Sequence, residues 1–143
     1  MSNLNEFLST YNIESYERPS IATDIAVFTV VPDTEIVDCR KLPSKKLKVL
    51  LIRRGEEPFK NLWALPGGFV RKGETINQAA RRELLEETGT QQAYIEMCGT
   101  FDEEGRDPRG WIISQAFMAL TNSEDKEPVS YTHLRAHETL ANL

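Results

Sequence analysis

The chain has 143 residues, is 40% hydrophobic and carries a net charge of −5 with a pI of about 5.1. That length suits one folded domain with a real core, and the acidic balance argues against a general affinity for nucleic acid. No apolar run approaches the roughly 18 residues of a membrane span, and the first twenty residues lack the basic-then-apolar order of a signal peptide. Cys39 and Cys98 show no zinc or redox spacing, so a reduced cytoplasmic protein is expected.

In chain order, residues 3–10 read as a short helix, and Glu14 to Ser20 as an extended lead-in that Pro19 keeps out of helix. Ile21 to Val31 is apolar and β-branched, a strand. Pro32 to Ser44 is a loop of mixed charge. Leu47 to Arg53 (LKVLLIR) reads as a second strand, central in its sheet. Gly55 to Leu62 is a loop, and Trp63-Ala64-Leu65 a short strand leading into Pro66-Gly67-Gly68. Pro-Gly-Gly is by itself most often a turn, but two glycines also allow backbone to approach a ligand closely.

A helix follows over Ile76 to Thr88. Thr75 is its N-cap, Gln78 the reciprocal partner of a capping box, and Gly89 the left-handed C-cap. Ile76, Ala80 and Leu84 form the stripe that faces a sheet. Glu83, Glu86 and Glu87 share the neighbouring face within about one turn. A solvated acidic face is the ordinary reading of such a helix. It fits poorly here, because like charges at these spacings repel and crowd the C-terminal end of the dipole. Arg81 and Arg82 offset part of that. A hard divalent cation, Mg²⁺ or Mn²⁺, bound to the carboxylates and bridged to a phosphate, offsets more. Ala93 to Phe101 and Trp111 to Leu120 read as two further strands. Strands with one long helix in this order predict a mixed sheet covered by helices. The joining loop, Asp102 to Gly110, is either a solvated hairpin or a phosphate clamp through Arg106 or Arg109, whose guanidinium forks match phosphate oxygens. Glu103 or Glu104 is a candidate extra carboxylate.

The stretch Gly68 to Thr90, GFVRKGETINQAARRELLEETGT, resembles the Nudix box at every charged and glycine position: Gly68, Glu74, then Arg82-Glu83-Leu84-x-Glu86-Glu87-x-Gly89. Thr90 departs, standing where an aliphatic residue is usual. The resemblance implies a Nudix α/β/α sandwich and metal-dependent hydrolysis of a nucleoside diphosphate linked to another group. It also implies a set of roles. Glu86 and Glu87 are ligands, Glu83 is a base or a ligand, and Arg82 orients it. The carbonyl of Gly67 is a further ligand, and Glu74 supports the site. Members differ on whether the base lies in the box or in a later loop, so that assignment stays open.

YERPS (residues 16–20), Pro58-Phe59 through LWALPGGFV, and GRDPRG resemble the branch holding ADP-ribose pyrophosphatases and Nudix-type regulators of NAD metabolism. The resemblance implies two candidate functions. One is an enzyme cleaving ADP-ribose to AMP and ribose 5-phosphate. The other is an ADP-ribose-sensing domain whose winged helix lies outside this chain. An intact box favours the enzyme, and a hydrolase of oxidised nucleotides is a third option. Phe59 and Trp63 are candidates to stack a base, though a single Trp more often packs in a core. A small nucleotide is the expected partner, with a homodimer as the candidate assembly.

His133 and His137 form H-x-x-x-H but lack the zincin Glu. VSYTHLRAHET (residues 129–139) resembles a translated transposase sequencing-library adapter. The expected division is therefore a lead-in over 1–20, an incomplete, C-terminally truncated Nudix domain over 21–128 and a non-native tail over 129–143.

Overall fold

The computed structural model describes residues 4–32 and 45–121. Helix α1 (Leu4–Thr10) buries none of its residues, and a single 3-10 turn (Ile13–Ser15) follows. Strand β1 (Ser20–Pro32) organises the sheet. One edge of β1 runs parallel to β7 (Ile112–Leu120), from Ser20↔Ile112 to Phe28↔Leu120. Two antiparallel partners share its other edge. Strand β5 (Gly67–Phe69) pairs over Ala22–Asp24, and β2 (Lys45–Leu50) over Val27–Pro32. Between them, the Ile25 N–H donates to the Pro66 carbonyl at 2.8 Å. Beyond β7 lies β6 (Tyr94–Phe101), antiparallel, with an irregularity between Met97 and Gly99. A separate two-stranded ribbon joins β3 (Ile52–Arg53) to β4 (Trp63–Ala64). The mixed sheet expected from the sequence is thus present.

Helix α2 (Ile76–Thr88) has the expected boundaries and caps. The Gln78 N–H donates to Thr75 Oγ1 at 3.2 Å, the Thr75 N–H donates to Gln78 Oε1 at 2.8 Å, and Gly89 takes φ 70°. Its Ala79, Ala80 and Leu84 are buried, and Ala80 and Leu84 join Ile25, Val27, Leu50, Ile95, Phe117 and Ala119 in one core, with Ile76 packed at its margin. Each large aliphatic or aromatic side chain so buried contributes about 1.5–3 kcal/mol. Among the described residues, α2 is the helix that covers the sheet.

Two expectations need correction. Among the described residues the second strand is not central: there β2 ends the sheet path, paired to β1, and the strand breaks at Leu51 before β3 turns into the ribbon. Its exposure, with Leu47 outside and Val49 and Leu50 buried, is that of an antiparallel strand with one face toward solvent. Gly67 and Gly68 form part of β5, pinned to β1. Trp63 is not a core residue, since it is about half exposed on β4. The loop over residues 33–44, Cys39 and both histidines lie outside the described residues.

Candidate functional site

The two glycines of β5 set the site's spacing. A Cβ on Gly67 would run into the Thr23 carbonyl and stand 3.0 Å from Asp24 Cα, while one on Gly68 would lie 2.6 Å from Glu83 Cδ. Both distances are below any ordinary carbon contact. Only glycine lets β5 lie close to β1 on one side and to the Glu83 carboxylate of α2 on the other.

Around α2 the acidic residues occupy different environments. Glu83 is buried, Glu87 partly buried and Glu86 exposed, so the three do not form the surface cluster that helix spacing implied. Arg82 ties Glu83 and Glu86 to Glu74. Its Nε and Nη2 grip Glu74 at 3.0 and 2.7 Å, Nη2 also donates to the Phe69 carbonyl at 3.1 Å, and Nη1 donates to Glu83 Oε1 and, at 3.2 Å, to Glu86 Oε2. The Arg82 guanidinium, helped by the Arg71 N–H, holds the Glu74 carboxyl down at about 2, and Glu74 in turn raises Arg82 above its ordinary value. Glu74 thus anchors Arg82. The Arg71 fork faces Glu86, Nη2 to Oε2 at 3.2 Å.

Glu87 accepts from the Gly67 N–H at 2.7 Å. Burial pushes its carboxyl up to about 7. The Gly67 N–H and Arg54 oppose that shift, and the charges of Glu83 and Glu86 add to it. A carboxyl displaced this far marks a place short of positive charge. Oxygen donors on Glu83, Glu86, Glu87 and the Gly67 backbone suit a hard divalent cation, so the residues present fit the group the sequence implied. Without one, the side chains of the described residues form no ready cluster for a metal; Arg82 and Arg71 hold Glu83 and Glu86 instead.

The raised Glu87 carboxyl has a consequence for stability. Its folded value of about 7 lies above the ordinary 4.5. Below the ordinary value both states keep the proton and nothing is lost. Between the two values the unfolded chain ionises more readily, so stability falls as pH rises and levels off above about 7. In EDTA, Glu87→Gln is expected to raise stability at pH 8 by about 1 kcal/mol after allowance for solvent screening, with no gain near pH 4.5. Urea melts at the two pH values check this; a gain of equal size at both would place its cause elsewhere.

A cavity of about 540 Å³ opens beside Glu87. Gly67, Gly68, Glu87, Phe59, Arg106 and Arg109 all line it, so the structure brings these predicted residues together. Glu83, Glu86 and Trp63 are not among its lining residues, nor are Glu103 and Glu104. Phe59 sits at φ 64°, in a loop stitched across its base. The Arg54 N–H donates to the Leu62 carbonyl, Arg54 Nε to the Pro58 carbonyl at 2.7 Å and Arg53 Nε to the Asn61 carbonyl at 3.1 Å. A bulky residue held in this region is a recognised mark of functional loops.

The two loop arginines differ. Arg109 lies over the Phe69 ring at 5.0 Å and forks onto Asp107 at 2.9 and 2.7 Å. That pairing holds the Asp107 carboxyl at about 2 and raises Arg109. Arg106 donates to the Ser114 hydroxyl at 2.8 Å, a neutral partner. Arg106 thus offers the less compensated charge to an anion, and Arg109 the more rigid fork.

Arg53 and Arg54 were missed in the sequence. The available signal was an Arg-Arg pair closing an apolar strand, immediately before Gly55-Glu56-Glu57-Pro58.

Comparison with known proteins fits this arrangement. The chain is 36% identical over 118 residues to the ADPR responsive transcriptional repressor NtrR of Acinetobacter baylyi, covering 81% of this chain and 42% of that protein. It is 47% identical over 74 residues to the ADP-ribose pyrophosphatase of Methanocaldococcus jannaschii, covering 52% of this chain and 44% of that protein. It thus spans less than half the length of each. The NUDIX domain of Shewanella oneidensis NrtR, solved in complex with ADP ribose, superposes with a TM-score of 0.72 at 27% identity, covering 98% of this chain and 85% of that one. No helix among the described residues is long and apolar enough to cross a membrane. The NUDIX domain model matches residues 34–138, and the chain belongs to the NUDIX family.

Proposed function

We propose that this chain is a divalent-cation-dependent hydrolase that cleaves ADP-ribose to AMP and ribose 5-phosphate. The observation that carries this reading is the meeting of two features at Glu87: the acidic face of α2, and a cavity walled by Arg54, Arg106, Arg109 and Phe59. A diphosphate needs cationic forks along its length, an apolar or aromatic wall for its base, and acidic oxygens where the bond breaks.

Glu83, Glu86, Glu87 and the Gly67 carbonyl would hold Mg²⁺ or Mn²⁺, which when bound neutralises phosphate oxygens and acidifies water. Arg82 fixes Glu83 and Glu86 in place. Arg106 and Arg109 bind and orient the diphosphate, and Phe59 packs on the base. A water oxygen forms the new bond to phosphorus as the anhydride P–O bond breaks. The water's proton passes to a carboxylate, with Glu83 the base within the box, and the leaving phosphate carries away the bonding pair.

A second reading, an ADP-ribose-sensing domain, is favoured by the match to NtrR across most of the chain. Chromatographic quantification of the products separates the two. It is run with ADP-ribose, NADH, diadenosine polyphosphates and nucleoside triphosphates, with Mg²⁺, Mn²⁺ or EDTA. Turnover of ADP-ribose that EDTA abolishes is expected. No turnover of any of them with either metal would sink the enzyme reading. Arg106→Ala is expected to raise KM by about tenfold, the loss of one charge-assisted bond, with kcat little changed; unaltered kinetics would return the loop to a solvated hairpin.

A further inference from the structure

Glu86 is held by two guanidiniums of different standing. Arg82 is locked: it is 17% exposed and bound to Glu74, Glu83 and the Phe69 carbonyl as well. Arg71 is 61% exposed, stands on the segment between β5 and α2, and directs its fork at both Glu86 oxygens, Nη2 to Oε2 at 3.2 Å and Nη1 to Oε1 at 3.5 Å. Its backbone is anchored separately, through the Arg71 N–H on Glu74 Oε1 at 2.7 Å. The side chain can therefore swing away without releasing the loop, whereas Arg82 cannot leave without dismantling three contacts.

Resting on the metal-site reading above, we propose that Arg71 is a resident counter-ion on Glu86 that a divalent cation must displace, so that Arg71 lowers the affinity of the site for its cation. A cation approaching Glu86 finds both oxygens faced by N–H groups. Binding exchanges the Arg71 contact for a cation contact and releases a freely solvated guanidinium. Arg71 keeps the carboxylate compensated in the cation-free protein and acts as a positioning residue.

The test is titration calorimetry of the 143-residue chain with Mn²⁺ alone. Arg71→Gln should tighten Kd by about two- to fivefold, the range of an exposed ion pair. Lys72→Gln removes the same charge from the neighbouring position and should change Kd by less. In a Glu86→Gln background, Arg71→Gln should have no effect on Kd, since their coupling is the effect itself. An unchanged or weaker Kd in Arg71→Gln, with wild-type binding intact, overturns this proposal and leaves the metal-site reading standing. An equal gain from Lys72→Gln also overturns it, by tracing the effect to net charge. No Mn²⁺ binding to the wild-type chain overturns both.

Discussion

Glu86→Gln and Glu87→Gln are each expected to lower kcat for ADP-ribose by about 100-fold or more, the scale seen when one charge-stabilising group leaves a reaction centre. Each exchange keeps the shape but removes the charge that a cation needs. The fold should survive. Glu86 is exposed, and a Gln at 87 can still accept from the Gly67 N–H. The two variants should differ without metal, because burial pushes the Glu87 carboxyl up to about 7 and Gln at that position removes this cost. Turnover at saturating Mg²⁺, with far-ultraviolet circular dichroism as the check on folding, measures the effect. Near-normal kcat in either variant would remove that residue from the ligand set.

Arg82→Ala is expected to be the most destabilising single change at the site, by about 1–3 kcal/mol, because it leaves the buried Glu83 carboxylate without its partner. Glu74 loses a two-pronged partner, Glu83 and Glu86 lose their shared Nη1, and the Phe69 carbonyl loses a donor. Arg82→Lys should recover only part of the loss, since an ammonium cannot span Glu74, Glu83 and Phe69 together. Urea melts in EDTA give the stability, and turnover with Mg²⁺ reports the displaced Glu83. A loss below about 0.5 kcal/mol, the level of an ordinary surface substitution, would show that the network is not what holds the carboxylates.

Legibility in the sequence followed the range of the interactions. Helix α2, its Thr75–Gln78 box and its Gly89 cap were readable because caps and periodicity act within a few residues. The strands on either side of the site were readable as strands, but their neighbours were not. Pairing is non-local, so nothing in LKVLLIR says that, among the described residues, β2 ends the sheet path or that the run breaks at Leu51. The acidic residues were found, but not their unequal burial. Glu83 goes under β5 because Gly68 leaves room for it, a contact across the chain. The partnership of Arg71 with Glu86 and the stitching of the Phe59 loop by Arg53 and Arg54 arise the same way, from loops brought together by the fold. Arg106 and Arg109, chosen for their guanidinium chemistry, and Phe59, chosen from the family resemblance, do meet at one cavity; Trp63, chosen with Phe59, does not line it.

The most direct measurement is a product analysis. The chain is incubated with ADP-ribose and Mg²⁺, and AMP and ribose 5-phosphate are quantified by chromatography beside the EDTA control and Glu86→Gln. AMP and ribose 5-phosphate should appear in equal amounts over many turnovers, with none in EDTA and about 100-fold less from Glu86→Gln. ADP-ribose recovered intact from a chain that binds it would contradict hydrolysis and identify the cavity as a sensor's.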